Sequence, residues 1–321
     1  MRVVHVTEFG GPEVLSVVET PAPQPGPDQV IVALTFADIL FLDALIRSGG
    51  WATQHFARTP PFVPGTGGVG TVIAVGPGVE HTWLGRRVLA AAETGYAEQI
   101  AVHVGQLLPV PDEVDDQTAA ALLHDGATAA ALDRLGEPRR DQWVLVTAAA
   151  GGAGSQLVQL AAGAGARVIA AASTGDKRDF AKKLGAEITI DYTQPGWDDQ
   201  VRTVTGGGVG LAYDGAGGGL ATTTLSTVVD GGRLVTYGTT TGFASLDYDD
   251  ITRRGIDIIT PVTSGTLTDE HLPNAARALA LGAEGRLRPV ISAVYRLEHA
   301  ADAHRDLEAR KLVGKALLAI T

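Results

Sequence analysis

From Val144 to Leu160 the chain reads as an apolar strand, a turn of small residues and a helix, with the spacing Ala148-x-x-Gly151-x-x-Gly154 in the turn. Residues of this type at this spacing suit the seating of a pyrophosphate. Small side chains let the backbone turn tightly, bring N–H groups onto phosphate oxygens and pack the helix closely on the strand. The helix start adds the positive end of its dipole. Crowded strand-to-helix loops without a ligand use the same residues, so the flanking pattern has to carry the reading.

A second chemical signal lies about 20 residues further on, where an acid commonly binds the hydroxyls of an adenosine ribose. Here the apolar run ends in Ala171-Ala172-Ser173-Thr174-Gly175, with Lys177 and Arg178 just beyond. Small hydroxyls and cations suit a 2′-phosphate, whose charge a carboxylate would repel. The expected cofactor is therefore NADPH rather than NADH. Arg178 is read as an ordinary solvated helix residue.

Other chemistries find few residues to perform them. The chain has no cysteine, which leaves no disulfide, no thiolate nucleophile and no Cys-ligated zinc. Its eight histidines form no HExxH or HxH pair, and no metal site is expected. A net charge of −11 without a basic block gives no support to nucleic-acid binding. No segment approaches the roughly 18 uninterrupted apolar residues of a membrane span. The start, Met1-Arg-Val-Val-His5-Val, reads as a strand and not as an export signal, so a cytoplasmic location is expected.

The elements that must position these residues follow from periodicity. Short apolar runs at 144–147, 167–171, 188–190, 211–213, 233–237 and 256–259 alternate with amphipathic stretches such as 176–184 and 197–205. That alternation predicts a doubly wound parallel sheet, an α/β Rossmann domain. The first 120 or so residues differ: β-rich runs at 29–37, 71–75, 86–91 and 97–102 are punctuated by Pro and Gly, as in an irregular β domain.

Several local strings then resemble the zinc-independent quinone oxidoreductases, the zeta-crystallin-like branch of the medium-chain dehydrogenase/reductases that also includes enoyl reductases. They are Glu8-Phe-Gly-Gly-Pro-Glu-Val-Leu15, Asp43-Ala-Leu-Ile-Arg-Ser-Gly49, Val75-Gly-Pro-Gly-Val79, Gly95-Tyr-Ala-Glu98, the turn from Ala148 to Gly154, Asp191-Tyr192, Asp214-Gly-Ala-Gly217 and Gly314-Lys-Ala-Leu-Leu. The resemblance implies a GroES-like catalytic domain from 1–122 and 265–321, with an NADP-binding Rossmann domain, 123–264, inserted. It implies NADPH-dependent hydride transfer to a quinone or an α,β-unsaturated carbonyl, in a homodimer. By position, Ala150, Gly151, Gly152 and Ala153 would face the pyrophosphate, Ser173, Lys177 and Tyr192 the 2′-phosphate, and Thr128 the nicotinamide ribose. Gly238 and Thr239 would border the cofactor, and Lys315 would reach a phosphate unless it is simply a solvated lysine.

The chain also departs from the family. Where relatives carry Asn and Tyr near the nicotinamide, this chain has Leu40 and Leu45, and an acid of the family's Pro-Gly-x-Glu-Gly segment is replaced by Gly67. Two leucines neither donate a proton nor form a hydrogen bond, so a drier pocket and a small hydrophobic substrate are expected. Trp51 stands where an aromatic borders the pocket mouth, with a half-buried core role as the alternative. His124 is the ionisable residue to weigh as a proton donor, against a purely structural role. Two other readings stay open: a specialised reductase or tailoring enzyme of secondary metabolism with an altered pocket, and a non-catalytic NADPH-binding protein.

Overall fold

The computed structural model describes residues 1–50, 58–260 and 270–320. Its strands in chain order are β1 (Arg2–Val6), β2 (Leu15–Glu19), β3 (Gln29–Asp38), β4 (Gly67–Val75), β5 (Arg87–Ala91), β6 (Gln99–His103), β7 (Leu107–Pro109), β8 (Trp143–Thr147), β9 (Arg167–Ala172), β10 (Ile188–Asp191), β11 (Val209–Asp214), β12 (Val228–Thr236), β13 (Asp257–Ile259), β14 (Ile291–Arg296) and β15 (Lys315–Ala319). They divide between two compact units, Met1–His124 with Ile291–Thr321, and Asp125–Val290.

The first unit is organised by β3, whose Val30, Ile31, Val32 and Leu34 are almost completely buried. Its sheet runs β14-β15-β3-β4-β5-β7, with β6 also paired to β3. Early residues of β3 pair with β6 and its last three with β15, so one long strand serves two partners in succession. The C-terminal segment thus completes a sheet begun near the N-terminus: Leu317 lies opposite Asp38. Burial of apolar side chains from both chain segments in one core holds the split unit together.

The second unit is a six-stranded parallel sheet in the order β10-β9-β8-β11-β12-β13. Chain direction reverses its march across the sheet between β8 and β11, which opens a crevice at the carboxyl ends of those strands. β12 begins at Val228, earlier than the 233 expected. Its Asp230-Gly231-Gly232 reads as a turn in sequence, but the strand absorbs it with a register shift opposite β11.

The C-terminal domain boundary also differs from the expected one. The position expected, 265, lies outside the described residues, and the second unit continues to Val290. It therefore takes in the helix His271–Ala283, which buries Ala275, Ala278, Leu279 and Leu281 and packs on the alanine-rich helix Ala127–Gly136. Small side chains on both helices permit that close approach, a pairing that periodicity alone does not reveal.

Candidate functional site

In the second unit, β8 passes through Ala148 into the helix Gly152–Gly163. Ala148 itself adopts a left-handed φ of 50°, uncommon for a residue with a Cβ. Gly154 has no alternative: a Cβ there would sit 2.4 Å from the Ala148 carbonyl oxygen. The helix N-cap, Gly151, has no side-chain cap, so this end presents backbone N–H groups and the helix dipole to the crevice. Ala150 is buried, Gly151 exposed, and Gly152 and Ala153 partly exposed. Sequence reasoning missed the Asp125 side chain, which lies so close to Gly152 that a Cβ would stand 1.9 Å from its carboxylate.

Ser173 follows the last residue of β9, and the register of Ala172 opposite Asp191 puts Tyr192 at the matching point after β10. Both are partly exposed, as is Lys177 in the first turn of the helix Gly175–Lys183. Thr174 caps that helix by accepting from the Lys177 N–H at 3.4 Å. Parallel pairing thus sets Ser173 and Tyr192, separated in sequence, at neighbouring strand ends. Arg178, expected to be an ordinary solvated residue, instead ties the two strand ends: it pairs with Asp191 at 2.8 Å and donates to the Ala172 carbonyl. Asp191 is held below the usual carboxylate range by the Thr193 hydroxyl first, with Arg178 adding to it.

Across the switch point, Asp214 ends β11 as a fully buried carboxylate that accepts from Thr147 Oγ1 at 2.9 Å and from the Gly217 N–H at 3.0 Å. Burial raises its pKa, and those donors oppose the rise. The Gly238 N–H donates to the Asp214 backbone carbonyl, which sets the start of the loop after β12. Gly238 and Thr239 line a pocket of about 120 Å³ whose walls also include Tyr237, Phe243, Leu246 and Tyr248. Thr128 lies partly exposed at the start of the helix Ala127–Gly136.

In the first unit, Leu40 caps the short helix Phe41–Arg47 that carries Leu45, and both leucines are half-buried. Trp51 lies outside the described residues. The acid absent at Gly67 has a backbone cause: Gly67 has φ 103° and a Cβ would meet the Ala90 carbonyl oxygen at 1.9 Å.

A buried polar chain that sequence reasoning missed fixes the start of this helix. Arg47, 1% exposed, contacts Gly10, Glu308 and His304. Burial, then the Arg47 charge, pushes His304 down to about 3, so its imidazole is neutral. With Nδ1 accepting from Arg47, Nε2 donates to Tyr96 Oη at 3.0 Å, which donates to Asp43 Oδ2 at 3.2 Å. Asp43 in turn accepts the Leu40 N–H at 2.9 Å. Burial raises Asp43 to about 6, a rise that the Leu40 N–H opposes. A folded carboxyl that holds its proton more tightly than the unfolded one stabilises most at low pH, and that contribution is lost as pH rises from about 4 through about 6. Thermal melts of Asp43→Asn should accordingly show a flatter dependence on pH between about 4 and 7 than those of the wild type; parallel curves would contradict it.

Lys315 does not present its charge outward. It is 3% exposed, and its Nζ contacts Asp38 Oδ2 at 3.2 Å and donates to the Ile39 carbonyl at 3.1 Å. That placement corrects the expectation of a phosphate contact: the register of β15 beside β3 turns the side chain into the first unit, where Asp38 neutralises it. His124 joins the same carboxylate through Nδ1, at 3.0 and 3.2 Å from its two oxygens. Among the described residues no group of three or more His, Asp or Glu is arranged to hold a metal ion.

A doubly wound parallel sheet with an uncapped glycine turn at its switch point, and in the same chain a β-rich unit closed by the C-terminal strand, define a two-unit dinucleotide-dependent dehydrogenase architecture. Residues 26–112 match the alcohol dehydrogenase GroES-like domain and 152–280 the zinc-binding dehydrogenase domain. The chain is 31% identical to a quinone oxidoreductase of Pseudomonas aeruginosa, over 98% of each chain. It is 30% identical to a 2-haloacrylate reductase of a Burkholderia species, over 98% of this chain and 97% of the other. A mycobacterial protein solved in complex with NADPH superposes with a TM-score of 0.90 at 33% identity, covering 100% of both chains. The chain belongs to the quinone oxidoreductase family of the medium-chain dehydrogenase/reductases.

Proposed function

We propose that this protein is an NADPH-dependent, zinc-independent oxidoreductase that reduces a quinone or an α,β-unsaturated carbonyl of hydrophobic character. The observation that carries the reading is the convergence, along one edge of one parallel sheet, of an uncapped helix N-terminus and a strand end without an acid. Ala150, Gly151, Gly152 and Ala153 would hold the pyrophosphate, and Ser173, Lys177 and Tyr192 the 2′-phosphate. Thr128 would meet the nicotinamide ribose, and Gly238 and Thr239 would border the cofactor. When bound, the reduced nicotinamide supplies the hydride. Leu40 and Leu45 exclude water and orient an apolar acceptor by shape. The same reading takes the protein as a cytoplasmic homodimer; support for the dimer comes from β13, an edge strand with a single strand neighbour among the described residues.

Calorimetric titration tests the reading. NADPH should bind more tightly than NADH. Lys177→Ala should weaken NADPH about 10- to 150-fold, the loss of one charge-assisted hydrogen bond of about 1.5–3 kcal/mol, and leave NADH nearly unchanged. Equal dissociation constants for the two cofactors would overturn the assignment. NADPH binding without turnover on any substituted naphthoquinone or alkyl enone would instead identify a non-catalytic nucleotide-binding protein.

A further inference from the structure

We propose that Arg178 decides the cofactor preference: anchored by Asp191 where β9 and β10 end, its guanidinium binds the 2′-phosphate of NADPH and masks a carboxylate that would repel it. The proposal rests on the NADPH reading above and adds a residue that the reading does not use.

No acid follows β9, but one stands on the neighbouring strand. Asp191 ends β10 directly opposite Ala172, the last residue of β9. A bare carboxylate at this point would repel a 2′-phosphate and would accept from the ribose hydroxyls of NADH instead. Arg178 Nη1 stands 2.8 Å from Asp191 Oδ2 and 3.4 Å from the Ala172 carbonyl oxygen, so a single nitrogen bridges the two strand ends. The residues that follow those ends are Ser173 and Tyr192. The Arg178 and Asp191 side chains are 25% and 24% exposed, which leaves the pair fixed and yet open to a ligand.

A guanidinium carries five N–H donors in one rigid plane, and here the two on Nη1 are engaged. Nε and Nη2 have no partner among the described residues. Their N–H groups form a fork that matches two oxygens of a phosphate, a geometry that the point charge of a lysine does not offer. Arg178 also lies near the start of the helix Gly175–Lys183, where a cation faces the positive end of the helix dipole. Asp191 offsets that unfavourable placement, and a bound phosphate would offset it further. Arg178 is thus the binding residue and Asp191 a positioning residue that holds the fork at the strand ends.

Calorimetric titration with NADPH and NADH, and with adenosine 2′,5′-bisphosphate and 5′-AMP as probes of the adenosine end alone, tests this. Each pair of ligands differs only in the 2′-phosphate. Arg178→Ala should weaken NADPH and the bisphosphate about 10- to 150-fold, the loss of a charge-assisted phosphate contact, while NADH and 5′-AMP keep or gain affinity. The double variant Arg178→Ala with Asp191→Asn should bind NADPH at least about threefold more tightly than Arg178→Ala, because the unmasked charge is gone. An unchanged NADPH preference in Arg178→Ala, or a double variant no better than the single one, overturns the proposal. Equal weakening of all four ligands overturns it too, since the pair would then only hold the strand ends together. A wild type without preference for NADPH refutes the underlying cofactor reading itself.

Discussion

Asp38→Ala should destabilise the first unit by about 3–5 kcal/mol, because it leaves the Lys315 ammonium buried without its carboxylate. Lys315 is 3% exposed at the side chain and Asp38 not at all, so water cannot take over the lost partner. Chemical denaturation read by far-UV circular dichroism measures the loss. The double variant Asp38→Ala with Lys315→Met should recover most of it, since an apolar pair of fitting volume carries no desolvation cost. A double variant no more stable than Asp38→Ala would show that the strand pairing of β3 with β15, and not the charge, decides the result. The pH dependence has a definite sign. Asp38 has a folded pKa below its unfolded value of about 4, so its contribution is complete above that pH and is lost as pH falls further. Acid unfolding through Asp38 and the loss of Asp43 stabilisation with rising pH therefore occupy different windows.

Gly154→Ala is expected to have the next largest effect. A Cβ at this position would lie 2.4 Å from the Ala148 carbonyl oxygen and 3.2 Å from the Ala149 Cα. Both are backbone atoms, so neither can rotate away, and the turn must open or the helix must move off the strand. Overpacking of this kind costs about 1–3 kcal/mol of stability. The larger consequence is for ligand affinity. The N–H groups of the helix start converge only while the turn keeps its shape, and displacing them should raise the NADPH dissociation constant by at least about tenfold, the equivalent of one lost hydrogen bond. Fluorescence titration on the folded variant measures it; unchanged affinity would mean that the turn does not seat the pyrophosphate. Gly163→Ala, whose Cβ would meet nothing within 4 Å in the same helix, is the control.

Local order was readable because it rests on local causes. The alternation of apolar runs with amphipathic stretches marked all six strands of the parallel sheet, and the turn from Ala148 to Gly154 marked its switch point, since tight turns and close packing restrict residue type wherever they occur. β12 was placed too short because Asp230-Gly231-Gly232 has the composition of a turn, and only pairing with β11 absorbs it into a strand. Arg178 looked like a solvated helix residue until the pairing of β9 with β10 put Asp191 within its reach.

What the amino-acid sequence determined by itself was the Rossmann architecture, the missing acid after β9 and the absence of any cysteine chemistry, because each depends on residue type at short separation. Tertiary structure alone decided the partners of charged groups. Asp38, His124 and Lys315 are 86 and 277 residues apart from the first to the others, yet share one buried carboxylate. The chain Arg47, His304, Tyr96, Asp43 likewise crosses from the C-terminal helix to the N-terminal segment. Burying a charge is tolerated only where an opposite charge or a donor arrives from elsewhere in the fold. That arrival depends on strand register and on the return of the C-terminal segment, and no short window of sequence contains either.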